Sequence, residues 1–144
     1  MTFRALIVDK AEDGTVTQAV QEIGEDRLPE APGESVTVAV EHTTLNYKDG
    51  LCLTGGGGLV REYPHVPGID FAGTVTQSDV ADFVPGDKVV LTGWGVGERW
   101  WGGYAERARV KSKWLTRLPE GLTTRQAMAV GTAGFTAMLA VMAL

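Results

Sequence analysis

Ser35-Val36-Thr37-Val38-Ala39-Val40-Glu41-His42-Thr43-Thr44 runs directly into Leu45-Asn46-Tyr47-Lys48-Asp49-Gly50. In the first part, Val36, Val38 and Val40 face one way and Thr37, Ala39 and Glu41 the other. This is the period-two pattern of a β-strand with β-branched residues on its apolar face. From Asn46 the alternation ends and Asn46 to Leu51 reads as the start of a helix. A strong strand that hands over at once to a helix, within a glycine-rich chain, sets the fold class.

Toward the N-terminus, Phe3 to Val8 reads as a strand. Asp13-Gly14 marks a hairpin turn, and Thr15 to Ile23 reads as the return strand. Glu25 to Glu34 is a polar loop with Pro29, Pro32 and Gly33. Toward the C-terminus, Gly55 to Gly58 interrupt the chain, and Pro64 to Gly68 form a rigid approach to a strand at Ile69 to Val75. Pro85-Gly86-Asp87 makes a turn that feeds a strand ending at Leu91. Further strands are expected at Gly102 to Val110 and Trp114 to Leu118. A helix is expected from Leu122 to Val130, with Thr123 or Thr124 as its N-cap. Gly131, Thr132, Gly134 and Thr136 break the following apolar stretch into a second helix. The pattern gives seven or eight short strands, then two helices: a mainly β, partly open barrel with a helical exit.

Composition narrows the function classes. The 19 glycines argue against a helical bundle and for tight turns between strands. A net charge of -5, with no run of Lys or Arg, offers no nucleic-acid footprint. The single cysteine, Cys52, forms no internal disulfide and builds no zinc site by itself. No signal-peptide pattern opens the chain, so a cytoplasmic setting is expected. Residues 127–144 carry no charge and approach the length of a membrane span. The glycines and threonines in their middle make a broken soluble helix the better reading. That apolar end has no C-cap signal and no basic last turn, which leads us to expect a second domain to follow.

Five motifs recur in order: Leu45 to Gly50, Pro67-Gly68-Ile69-Asp70-Phe71-Ala72-Gly73, Pro85-Gly86-Asp87-Lys88-Val89, Gly102-Gly103-Tyr104-Ala105-Glu106, and Gly131-Thr132-Ala133-Gly134-Phe135-Thr136-Ala137. Together they resemble the medium-chain dehydrogenase/reductase superfamily across essentially the whole chain. Asn46 to Gly50, Leu91 to Glu98 and Trp101 to Gly103 are similar to its acryloyl-CoA reductase group, also described as quinone oxidoreductases. The resemblance implies a GroES-like barrel at residues 1–122. It also implies that residues 123–144 form a helical connection to a Rossmann domain not contained in this sequence. The implied activity is NADPH-dependent reduction of the double bond of acryloyl-CoA to propionyl-CoA, in a homodimer. A quinone or enone acceptor on the same scaffold is the alternative. A barrel without activity of its own is a third reading, since no Gly-x-Gly-x-x-Gly fingerprint occurs.

The resemblance also bears on metal. Zinc-dependent relatives place Cys, His and Cys ligands where Asn46, Ile69 and Thr132 stand here. Asn, Ile and Thr do not replace thiolate and imidazole as a tight zinc set, so no metal is expected. Without a Lewis acid, hydrogen-bond donors must meet the oxyanion that develops on the thioester, and a proton must reach the α-carbon. Asn46, Tyr47 and Asp49 are the candidate catalytic residues. Tyr47, Thr132 and Thr136 are the candidate cofactor contacts. Each has a structural counter-reading: Tyr47 as an amphipathic core residue, Asp49 as a helix cap or ion-pair partner, and the threonines as local back-bonding groups. His42 and His65 read as packing or surface residues, and Cys52 as a small buried hydrophobe. Arg61, beside the glycine run, reads as a solvated arginine or a contact for a CoA phosphate. Trp94, Trp100 and Trp101 read as pocket walls, core or a dimer contact.

Overall fold

The computed structural model describes all residues, Met1–Leu144. Strand β1 (Thr2–Lys10) and strand β2 (Val16–Gly24) form an antiparallel hairpin in unbroken register from Thr2 opposite Gly24 to Lys10 opposite Val16. Its turn lies where Asp13-Gly14 predicts it. The Asp13 carboxylate accepts from the Thr15 amide at 2.8 Å, and Gly14 takes φ 88°. On β1, Phe3, Ala5 and Ile7 alternate inward and pack with Ile23, Leu28 and Val66 into a small apolar core.

The larger sheet holds β3 (Ser35–Thr43), β4 (Asp70–Ser78), β5 (Lys88–Thr92), β6 (Arg107–Lys111) and β7 (Thr116–Arg117). All its pairings are antiparallel, in the order β6-β3-β4-β5-β7. Val36 and Val38 enter the main core with Phe71, Val75, Leu91 and Val110, as the alternation along β3 requires. Full burial of one such side chain contributes about 1.5–3 kcal/mol. The β3–β4 register shifts between Thr37 and Val38 and again between Val40 and His42. Such bulges bend the strand pair. The small hairpin joins the rest through single bridges, Ala5 with Ala105 and Val8 with His65, so the barrel is partly open.

Two expected strands shrink. Residues 102–106 form a loop, and the strand starts only at Arg107. The Gly102, Gly103 and Tyr104 amides donate to the carbonyls of Val66, Gly68 and Pro67 at 2.7–2.9 Å. A Cβ on Gly102 would lie 2.2 Å from the Gly68 carbonyl oxygen, so this glycine serves close backbone packing rather than a ladder. The Trp114 to Leu118 strand shortens to β7, because Ser112–Trp114 form a 3₁₀ turn.

Helix α1 (Tyr47–Thr54) follows β3. Helix α2 (Thr124–Met142) starts on an N-cap at Thr123. The Gln126 amide donates to the Thr123 hydroxyl, and the Gln126 side chain takes the Thr123 N–H at 2.9 Å. The expected break falls at Gly131, with φ 51° and ψ -164°. Beyond it, Phe135, Met138, Leu139 and Val141 are all more than half exposed. No helix is long and apolar enough to cross a membrane.

Candidate functional site

The end of β3, the start of α1, the start of β4 and the kink of α2 meet at one carboxylate. Asp70 is fully buried. Its Oδ2 accepts from the Thr44 hydroxyl at 2.9 Å, the Asn46 side-chain amide at 3.3 Å and the Thr132 backbone N–H at 2.8 Å. Its Oδ1 accepts from the Thr132 hydroxyl. No cation touches it. Its charge is carried by hydroxyl and amide donors alone, the arrangement that makes a buried carboxylate tolerable. The kink in α2 serves this site. A Cβ on Gly131 would lie 2.8 Å from the Thr44 methyl and 3.1 Å from Asp70 Oδ2.

A second buried carboxylate sits beside it. Asp49 accepts from the Asn46 backbone N–H at 2.8 Å, which is the return arm of a capping box on α1. Its other oxygen takes the Ile69 N–H at 2.9 Å. Each oxygen holds one backbone N–H, and the residue has no exposed surface. In this structure Asp49 caps α1 from a fully buried position. The first turn of α1 has orphan N–H groups that need an acceptor, and the Asp49 side chain turns inward to serve the Asn46 N–H and, across the fold, the Ile69 N–H. Tyr104 closes the back of the site: its hydroxyl donates to the Thr44 carbonyl at 2.9 Å. Burial, and then the nearby Asp49 and Asp70 charges, push its pKa up, so it stays a neutral donor.

Of the other candidates, Asn46 and Thr132 come together at Asp70, with their polar groups engaged there. Tyr47 is 83% exposed and its hydroxyl makes no hydrogen bond within the chain. It is not a core residue. Thr136 is exposed and donates back to the Thr132 carbonyl at 2.7 Å, the local back-bonding expected of a helical threonine. Ile69 is buried.

The remaining candidates divide between packing and surface positions. Cys52 is fully buried, and burial, with the Glu98 and Asp49 charges, raises its thiol to about 11. His42 Nδ1 meets the Thr124 hydroxyl at 3.1 Å. Trp100 stacks edge-on against Trp114 at 5.3 Å beside the main core, and Trp101 packs against the smaller core. Trp94 differs from both: it is 62% exposed at φ 61°, the only non-glycine residue at positive φ. Gly55 caps α1 in the left-handed conformation, and Gly56–Gly58 form a short 3₁₀ turn. No group of three or more His, Cys, Asp or Glu side chains is arranged to hold a metal ion.

Residues 32–120 match the family model of the alcohol dehydrogenase GroES-like domain. The chain belongs to that family. It is thus a GroES-like member of the medium-chain dehydrogenase/reductase superfamily. Acrylyl-CoA reductase AcuI of Ruegeria pomeroyi is 66% identical over 99% of this chain. The yhdH oxidoreductase of Salmonella enterica, solved in complex with NADP, is 55% identical over 100% of the chain, with a TM-score of 0.91. YhfP of Bacillus subtilis, named a putative quinone oxidoreductase, is 43% identical over 96% of the chain. Its crystal structure with NAD bound gives a TM-score of 0.93. The GroES-like chain spans 41–43% of the length of these relatives.

Proposed function

We propose that this GroES-like chain forms the substrate side of an NADPH-dependent enoyl-thioester reductase that converts acryloyl-CoA to propionyl-CoA without a metal. The observation that carries the reading is the 66% identity to an acrylyl-CoA reductase along nearly the whole chain. Residues 1–122 are then the substrate domain. Residues 123–144 are the helical connection to a dinucleotide-binding domain, in a cytoplasmic homodimer.

The residues suit one end of the cofactor. Around Asp70 the chemistry is amide and hydroxyl, which matches a neutral carboxamide and ribose. Tyr47 offers an open ring and an unengaged hydroxyl. Nothing here matches the pyrophosphate, which needs a glycine-rich turn at a helix N-terminus. NADPH, when bound, supplies the hydride for the β-carbon of the thioester. In this reading Tyr47 lies beside the nicotinamide and its O–H donates to the reacting region. Thr136 presents a hydroxyl acceptor to the cofactor. Asn46 and Thr132 shape the cleft floor, and Asp70 and Asp49 hold them in position. The enolate oxygen must be met by fixed donors, an effect worth several kcal/mol in such sites. The metal-free reading rests on the donor set. Asn46 and Thr132 are committed to Asp70, and Ile69 offers no ligand atom.

The test is turnover by the native-length protein. Acryloyl-CoA with NADPH is expected to be reduced, and quinones more slowly. Turnover of a quinone but not of acryloyl-CoA would transfer the assignment to the quinone oxidoreductases, which the YhfP similarity favours. Tyr47→Phe is expected to lower kcat/KM by roughly 10²-fold, within the range of a lost donor or proton source. Full activity in that variant removes Tyr47 from the chemistry. The isolated 144-residue chain is expected to bind NADPH poorly, and micromolar affinity by calorimetry would contradict this.

A further inference from the structure

We propose that two adjoining cavities around His65, between the 61–65 segment and the 98–101 loop, hold the pantetheine arm and phosphates of the CoA-thioester substrate. The proposal rests on the acyl-CoA reading above and gives that substrate its place on this chain.

The cavities have volumes of about 320 Å³ and 160 Å³ and share Glu62, His65 and Arg99. The larger is walled by Trp100 and Trp101, and the smaller adds Arg61 and Glu98. His65 is buried, only 3% exposed. Its Nε2 lies 2.9 Å from the Gly97 carbonyl oxygen. A carbonyl only accepts, so Nε2 carries the proton and Nδ1 is left as a lone-pair acceptor. Nδ1 has no partner in the chain. Every fully enclosed side-chain nitrogen and oxygen does have one. The Nδ1 atom therefore reaches the cavity, as an acceptor waiting for a donor. Burial keeps the ring neutral by lowering its pKa, against a smaller opposing effect of the Gly97 hydrogen bond.

The surrounding chemistry matches one kind of ligand. Arg61 and Arg99 are exposed, and neither is in an ion pair. Glu98 is already held by Lys48 at 2.6 Å. Counting that lysine, three cations face two carboxylates, a local positive excess on a chain of net charge -5. Free arginines suit phosphate oxygens. A neutral imidazole acceptor suits an amide N–H, and the indole faces suit an apolar stem. Phosphopantetheine carries all three: a phosphate, amide N–H groups and aliphatic carbons between them. A quinone has neither the phosphate nor the amide. The position fits as well. His65 is five residues from Asp70, so at most about 18 Å of extended chain separates them. An outstretched pantetheine arm covers that span, leaving the acryloyl group at the Asp70 end.

The experiment uses the native-length protein and the Arg61→Ala/Arg99→Ala double variant. Both side chains are exposed and unpaired, so Tm is expected to be unchanged. Coenzyme A is titrated by calorimetry and by ¹⁵N-resolved NMR of the His65 ring. Pantetheine, adenosine 3′,5′-bisphosphate and NADP serve as separate arms. Coenzyme A is expected to move the His65 Nδ1 resonance, and so is pantetheine. Adenosine 3′,5′-bisphosphate is expected to bind only where both arginines remain. The double variant is expected to raise KM for acryloyl-CoA at least about tenfold, with kcat and KM for NADPH unchanged. Unchanged KM for acryloyl-CoA, or coenzyme A binding that is indifferent to both arginines, overturns the site even if acryloyl-CoA is reduced. NADP moving the His65 resonance with the same arginine dependence also overturns it. Arginine-dependent coenzyme A binding at His65 without acryloyl-CoA turnover leaves the site standing and sinks the acryloyl-CoA reading alone.

Discussion

Asp70 and Glu41 both hold helix α2 against the five-stranded sheet, one at the kink and one at the first turn. Asp70 is fully buried, and only neutral donors reach it, from Thr44, Asn46 and Thr132. Glu41 lies at the surface. Its Oε1 takes Lys88 and the Thr74 hydroxyl, and its Oε2 takes the Thr124 hydroxyl at 2.8 Å. At Glu41 a cation balances the charge and water can replace any partner that leaves. At Asp70 the acceptor is fully buried and its donors are partly shielded from water; the Thr132 N–H and hydroxyl have no other acceptor, and the Asn46 amide is shared with the Thr44 hydroxyl oxygen at 2.7 Å. The same residue chemistry, a carboxylate on a sheet strand gripping α2, is therefore costly to remove in one place and cheap in the other.

Asp70→Ala provides the strongest test of this difference. It leaves the Thr44 hydroxyl and both Thr132 donors without their acceptor, the Asn46 amide keeping its bond to Thr44, and a destabilisation of about 3–5 kcal/mol is expected. Glu41→Ala is expected to cost about 1 kcal/mol or less. Urea unfolding of both variants measures the gap. Equal losses would mean that water enters the Asp70 site and that its burial carries no special weight.

Gly131→Ala attacks the same site from the backbone side. At φ 51° and ψ -164° an L-residue is strained by about 1–3 kcal/mol. The new methyl also meets the Thr44 side chain at 2.8 Å. A loss of about 2–3 kcal/mol is expected. Combined with Asp70→Ala, the loss should be less than additive, because both changes release Thr132 from the same carboxylate. Full additivity would separate the kink from the Asp70 contacts.

Much of this arrangement was legible in the chain and its centre was not. The alternation on β3, the helix start at Asn46, the Asp13-Gly14 hairpin, the Thr123 cap and the break at Gly131 are local signals, each decided by neighbours within a few residues. Asp70 is different. In sequence it is the second residue of an expected strand, inside the apolar run from Val66 to Ala72, and its partners lie 24 to 62 residues away. The available signal was the charge itself, a lone carboxylate in a run of otherwise buried residues, which must find donors or stay out of the interior. Asp49 shows the complementary case. Its spacing from Asn46 permits a cap as readily as a catalytic role, and only the fold, which buries the Asp49 side chain against the Ile69 N–H, shows the cap. Tyr104 falls in a stretch whose pattern reads as a strand, and the loop it sits in brings its hydroxyl to the Thr44 carbonyl.

The smallest expected effect concerns pH, and it isolates Glu41. Partial burial alone would raise this carboxyl. Hydrogen bonds from Lys88, Thr74 and Thr124 more than offset that and hold it at about 2, against an ordinary value of 4.5. A carboxylate whose pKa is lower in the folded state stabilises fully above its unfolded value, and that contribution fades as pH falls toward the folded value. The window therefore runs from about pH 4.5 down to about pH 2. The site is largely open to solvent, so screening limits the contribution to about 1 kcal/mol. The measurement is the stability difference between the wild-type chain and Glu41→Gln at a series of pH values. It should be constant above pH 4.5 and shrink toward zero near pH 2, and added salt should shrink it at every pH. A difference that persists at the acid end would mean that Glu41 holds α2 through neutral hydrogen bonds, as Asp70 does, and the distinction between the two carboxylates would rest on burial alone.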